Sequence, residues 1–282
     1  MIVVYILRIF PRFLFKFFFS FLAFLLWWLI PNRRKIAINN IKHAFKKDDR
    51  WTKKMAKKTY IFFADFIADC IKLLGANKKK IRKCIEIEGL ENFLEAKKKS
   101  GNIIWVTAHF SNWEIMVYAF GLLEEKCYII ARPFDCKMLD KIVNKLREKG
   151  GNKILSSRKS SMYFLNLLRK KIDLGVLIDQ DAGSKGMFVN FFGRKASVSE
   201  GIALFSLRLG VPILPAYITK KNKKFVIHIE PMVKVKEGAN FKEKTYNIMQ
   251  FIYNRFEEWI RKYPHCYFWV HNRWKSKLND KG

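Results

Sequence analysis

The stretch that most constrains this fold is residues 102–114, Asn-Ile-Ile-Trp-Val-Thr-Ala-His-Phe-Ser-Asn-Trp-Glu. Four β-prone apolar residues, Ile103, Ile104, Trp105 and Val106, lead through Thr107 and Ala108 to His109, and a helical apolar pattern then runs to Phe120. The stretch therefore predicts a buried strand, a tight loop and a helix, with the imidazole at the strand's carboxyl end. In alternating α/β folds ligands bind outside that end of the sheet. Glu114, five residues on, falls in the first helical turn, from which its carboxylate could reach back to the imidazole. A carboxylate there fixes the tautomer and supports the protonated ring, leaving the other nitrogen to act as a base. A second reading stays open: Ser111-x-x-Glu114 is also a capping box, in which Glu114 only satisfies a helix amine.

The rest of the chain fits this frame. From residue 33 to about 82 the spacing is helical, with one helix around Ile36 to Phe45 and a second carrying Tyr60, Phe63, Ile67 and Ile71 until Gly75. Short strands are predicted at 86–89, 127–131, 152–155, 174–178, 213–219 and 225–229. Helices are predicted at 90–99, 138–149, 161–171, 200–209 and 242–261. The last two strands flank a Lys-Asn-Lys turn, as in a hairpin. Alternation of this kind implies a mixed central sheet covered by helices. With no linker or internal repeat in 282 residues, residues 32–282 read as one α/β domain with a helical leading part, 32–85.

Residues 1–31 read as a membrane anchor. Residues 2–30 are apolar except for Arg8, Arg12 and Lys16, which recur every fourth residue on one helical face. The uncharged part, residues 17–30, is shorter than the roughly 20 residues of a full span. The segment could lie in the interface as an amphipathic helix, or cross once with its cations snorkelling. No small-x-small cleavage site follows, and Asn32-Arg33-Arg34-Lys35 favours a cytoplasmic location downstream. The formal net charge of +31 asks for an anionic partner: nucleic acid, anionic lipid or an acidic carrier protein. The five scattered cysteines form no C-x-x-C pair, so neither a disulfide framework nor a zinc site is suggested. Serine-elbow, Walker A, dinucleotide-binding and H-E-x-x-H patterns are missing from the sequence, and His228, His265 and His271 lack metal-ligand spacing.

The string His109-Phe-Ser-Asn-Trp-Glu114 resembles the His-x4-Asp/Glu motif of the glycerolipid acyltransferases, most closely the version in the late lipid A biosynthesis acyltransferases. Arg132-Pro-Phe-Asp135, Leu177-Ile-Asp-Gln-Asp181, Val189-Asn-Phe-Phe-Gly193 and Phe268-Trp-Val-His-Asn-Arg-Trp-Lys275 match that family in order, so the similarity spans nearly the whole chain. The resemblance implies transfer of a fatty acyl group from an acyl-carrier-protein thioester to a hydroxyl of a phosphorylated lipid A precursor, without cofactor or metal, at the cytoplasmic side of a bacterial inner membrane. His109 would be the base and Glu114 its orienter. Arg132 is implied as a substrate or oxyanion contact. Asp179, Gln180 and Asp181 end a predicted strand and should face the same cleft. Arg194 and Lys195, beside Phe191-Phe192-Gly193, are candidates to clamp a phosphorylated lipid. The acceptor could instead be a lysophospholipid or another glycolipid. A non-catalytic basic protein that binds membrane or nucleic acid is the competing class, and no recognised nucleic-acid module supports it.

Overall fold

The computed structural model describes residues 11–73, 76–123, 127–222, 224–235 and 240–277. Arg8 and Gly75 therefore lie outside the described residues. The described residues open with three helices, α1 (Arg12–Leu29), α2 (Pro31–Phe45) and α3 (Asp49–Leu73). Pro31 occupies the first turn of α2, where its missing N–H costs nothing. A short α4 (Lys78–Cys84), capped by the Asn77 side chain, leads to β1 (Ile85–Glu88) and α5 (Leu90–Ser100). The α/β alternation continues with β2 (Ile104–Thr107), α6 (Trp113–Leu123), β3 (Cys127–Ala131), α7 (Lys137–Glu148), β4 (Lys153–Ser156), α8 (Ser161–Arg169) and β5 (Asp173–Leu177). A hairpin, β6 (Met187–Phe191) and β7 (Arg194–Val198), precedes α9 (Gly201–Leu209). Strands β8 (Ile213–Lys221) and β9 (Lys224–Ile229) follow, then α10 (Phe241–Lys262) and a single 3-10 turn at Pro264–Cys266.

Seven strands form the main sheet in the order β1-β9-β8-β2-β5-β3-β4. The pairings are parallel except β8 with β9, the hairpin the sequence predicts. Every residue of β2 is buried, as expected of a continuous apolar run in a strand covered on both faces. One face packs on α10, whose buried Ile248, Met249, Ile252, Tyr253, Phe256, Trp259 and Ile260 recur at threes and fours. A capping box starts that helix: Asn240 accepts the Glu243 N–H, and the Glu243 carboxylate accepts that of Asn240. The opposite face packs on α5 and α6 through Ala96, Ile115, Met116 and Ala119.

The β6–β7 hairpin is a separate two-stranded sheet. Phe192 (φ +53°) and Gly193 (φ +74°) form its turn, both left-handed, which suits a two-residue hairpin loop. Phe191 and Phe192 are buried against Trp274 and Trp269, and the hairpin is tied to α10 by the mutual bonds of Asn190 and Gln250.

The apolar α1 lies antiparallel along α3. Arg12 pairs with Asp69 at 2.6 Å and with Asp65 at 3.0 Å, and Lys16 with Asp65 at 3.2 Å. At the other end Trp27 packs edge-on against Tyr60 and belongs to the main core. The outward face is unshielded: Phe13, Phe17, Phe18, Phe21, Phe24, Trp28 and Leu29 are exposed. This helix is long and apolar enough to cross a membrane and is a candidate anchor.

Candidate active site

Strand register builds the site. β2 and β5 are parallel neighbours with Thr107 opposite Leu177. Two residues beyond each, where the strands have ended at the sheet's carboxyl edge, come His109 and Asp179. The imidazole Nδ1 lies 2.7 Å from Asp179 Oδ1. Asp179 is almost fully buried, whereas His109 keeps a fifth of its side chain exposed. Burial alone would raise the Asp179 carboxyl, but the charge of His109 and its hydrogen bonds outweigh that and hold the group below its ordinary value. Gln180 Nε2 stands 3.4 Å from the other ring nitrogen, Nε2. An Nδ1–H tautomer satisfies both contacts: Asp179 accepts from Nδ1, and Nε2 is left as an acceptor facing the cleft.

Glu114 does not take the place expected of it at the imidazole. Its carboxylate is held by Arg147 of α7, Nε to Oε2 at 2.8 Å and NH2 to Oε1 at 2.5 Å, and it also accepts Trp113 Nε1–H at 3.1 Å. It is not the cap either. Ser111 adopts a left-handed conformation (φ +53°), and the Asn112 side chain accepts the Ile115 N–H to start α6. The physical reason is the turn itself. The left-handed Ser111 swings α6 so that the face bearing Glu114 meets α7, and the imidazole is left to the neighbouring strand.

The cleft has a volume of about 810 Å³. His109, Glu114, Arg132, Arg147, Gln180 and Asp181 line it together with an apolar wall from Val117, Ile129, Val176, Ile178, Ile202 and Phe205. Arg132 is three-quarters exposed at the mouth, and its nearest acid, Asp135, is 4.0 Å away. Asp181 binds the C-terminal segment: its carboxylate accepts from Ser276 and from the Gly183 N–H, while its own N–H donates to His271 Nε2 at 3.1 Å. Arg194 and Lys195 are exposed at the turn end of the hairpin, outside the cleft lining, because Phe191 and Phe192 take the inward positions. The structure thus brings five of the eight candidates to the lining of one cleft, sets Asp179 behind His109 as its buried partner, and leaves these two out.

Residues 266–276 brace the site from behind. Phe268 N–H donates to His109 O and Ser111 N–H to Cys266 O, and Phe110 bridges Tyr267. Buried Arg273 donates to Ser197 O and Tyr253 OH, while Tyr253 OH donates to Ile178 O. Trp269 and Trp274 are buried in the core. Sequence reasoning missed Arg147, whose only trace there is one cation on a strongly amphipathic helix.

An imidazole held by a carboxylate on one nitrogen, with the other open to a partly apolar cleft, is a general-base arrangement. The sequence profile of the family described as bacterial lipid A biosynthesis acyltransferase matches residues 1–276, and the chain belongs to that family. It is 23% identical over 202 residues to the lipid A biosynthesis palmitoleoyltransferase of Escherichia coli (strain K12), covering 70% of this chain and 64% of that protein. It is also 23% identical over 251 residues to a lipid A biosynthesis acyltransferase of Haemophilus influenzae, covering 84% of this chain and 74% of the relative.

Proposed function

We propose that this chain transfers a fatty acyl group from an acyl-carrier-protein thioester to a hydroxyl of a phosphorylated lipid A precursor. Residues 1–31 would serve as the membrane anchor and 32–282 as the transferase domain, on the cytoplasmic side of the inner membrane. One observation carries the reading: in a member of this family, the paired His109 and Asp179 open onto a cleft large and apolar enough for an acyl chain. The strong positive charge suits both an acidic carrier protein and a phosphorylated acceptor.

In this mechanism His109 Nε2 removes the proton from the acceptor hydroxyl, which displaces Gln180 from that nitrogen. The hydroxyl oxygen attacks the thioester carbonyl, and Asp179 stabilises the imidazolium through Nδ1–H. The tetrahedral intermediate collapses as the C–S bond breaks, and the proton on Nε2 passes to the departing thiolate. No protein nucleophile is needed, because the thioester is already activated. The half-buried Cys70 is a poor alternative: burial and the nearby carboxylates of Glu114 and Asp69 push its thiol well up. Glu114 acts through Arg147, fixing that guanidinium in the wall of the cleft beside the acceptor's anionic groups. Arg132 meets the same groups at the mouth.

The test is acyl transfer, read as a mass gain of one acyl chain on the precursor supplied with acyl-carrier thioester. His109→Ala and Asp179→Asn should each lower turnover by about 10²- to 10⁴-fold without unfolding the protein. Glu114→Ala should chiefly destabilise, by about 3–5 kcal/mol, because it strands Arg147. Wild-type turnover in His109→Ala would falsify the general-base reading. Normal turnover in Asp179→Asn with complete loss in folded Glu114→Gln would return the orienting role to Glu114. Acylation of a lysophospholipid in preference to the lipid A precursor would reassign the acceptor.

A further inference from the structure

We propose that the mouth of the cleft is itself a membrane contact, separate from α1, through which the bilayer meets the active site. The first turns of α7 and α8 follow β3 and β4, so both stand at the sheet's carboxyl edge beside His109. Each directs large apolar side chains outward: Met138 is 72% and Met162 56% exposed, with Leu139, Tyr163 and the adjoining Phe134 also exposed. The exposed cations Arg132, Lys137, Arg158 and Lys159 are interleaved with them. Arg132, Phe134 and Lys159 also line the cleft, so this patch is its rim.

Apolar side chains with cations between them match the boundary between acyl chains and anionic headgroups. Flexible methionines suit a fluid surface. The rim is also linked to the apolar helix. Arg147 stacks on Phe134 (6.0 Å) and holds Glu114, while Asn112, two residues before Glu114, contacts Cys70 and Phe66 of α3, along which α1 lies. A bilayer reaching both surfaces would let a lipid acceptor enter the cleft sideways, its headgroup sliding past Arg132 and Lys159 without leaving the membrane. The inference uses the transferase reading only to say what the contact serves; its test needs no turnover.

Cys136, at the centre of the rim, is exposed, whereas Cys70 and Cys84 are half-buried and Cys127 and Cys266 buried. The full chain carrying Cys84→Ser can therefore be labelled at Cys136 with a solvatochromic dye. It is then reconstituted on vesicles of phosphatidylethanolamine and phosphatidylglycerol, with and without brominated acyl chains. The expected result is a blue-shifted emission that brominated lipid quenches. The same dye at Lys195→Cys, in a chain also lacking Cys136, should stay in water. Met138→Asp combined with Met162→Asp should abolish quenching at Cys136 while the protein remains on the vesicles through α1 and keeps its circular dichroism. A Cys136 dye that stays water-like on protein-loaded vesicles would overturn the proposal. So would a dye that ignores vesicles and shifts only when acyl carrier protein is added, which would make the rim a protein dock.

Discussion

His271 accepts the Asp181 N–H through Nε2, a bond that only the unprotonated nitrogen can make. Burial holds its pKa below the ordinary imidazole value of 6.5. The same cause, largest in each case, lowers His43, His228 and His265. Between 6.5 and the depressed folded values, the unfolded chain binds more protons than the folded one, so stability rises with pH across that window and falls as acid is added. Asp179 acts lower down: its contribution is complete above the ordinary carboxylate value and is lost as pH falls through its depressed folded value. Denaturant melts of wild type should therefore weaken on going from pH 8 to just below 6, and His271→Gln should flatten part of that slope. An unchanged slope in the variant would remove His271 from the account. At this scale the sequence was half legible. His109 follows its strand by two residues and can be found locally. Asp179 lies seventy positions away and reaches the imidazole only because β5 is the strand beside β2, a choice that periodicity does not record. Glu114 looked like the partner because it was near in sequence, and the left-handed Ser111 sent it elsewhere.

The elements themselves were more legible than their arrangement. The apolar spacing locates α10, β2 and the β8–β9 hairpin to within a residue or two. The same patterns say nothing of the order β1-β9-β8-β2-β5-β3-β4, which depends on how crossovers pack. The β6–β7 hairpin is not predicted: residues 191–195 read as a clamp for a phosphorylated lipid, because Phe191 and Phe192 resemble a cleft wall as much as a core plug. Helix α1 shows the same limit. The spacing of Arg12 and Lys16 was legible, but Asp65 and Asp69 of α3, which those two meet, were not. Docked along α3, α1 cannot also stand across a bilayer without taking Lys57, Lys58, Asp65 and Asp69 to the same depth, a cost of several kcal/mol. It is therefore expected to lie in the interface. Trp27, 8% exposed between the two helices, makes the docking part of the core. Trp27→Ala should cost about 3 kcal/mol of stability and speed proteolysis near residue 30. A variant as stable as wild type would mean that α1 is a loosely attached stalk.

For the molecule as a whole, the site draws on segments far apart in the chain: β2, β5 and the brace at residues 266–276. That brace has a consequence in time. The backbone of His109 is completed by the Phe268 N–H, and Asp181 by Ser276, so the geometry around the imidazole cannot close until those residues have been made. Helix α1 emerges about 250 residues earlier, on the order of ten to fifty seconds at ordinary rates of synthesis. The apolar helix can thus reach a bilayer while the imidazole is still unbraced. On the mechanism proposed above, a nascent chain would be inert toward its acyl donor and become competent only once it is in place. Chains stalled before residue 263 should bind vesicles yet leave His109 unprotected from acylating imidazole reagents. Protection equal to that of the finished protein would show that the site closes without its brace.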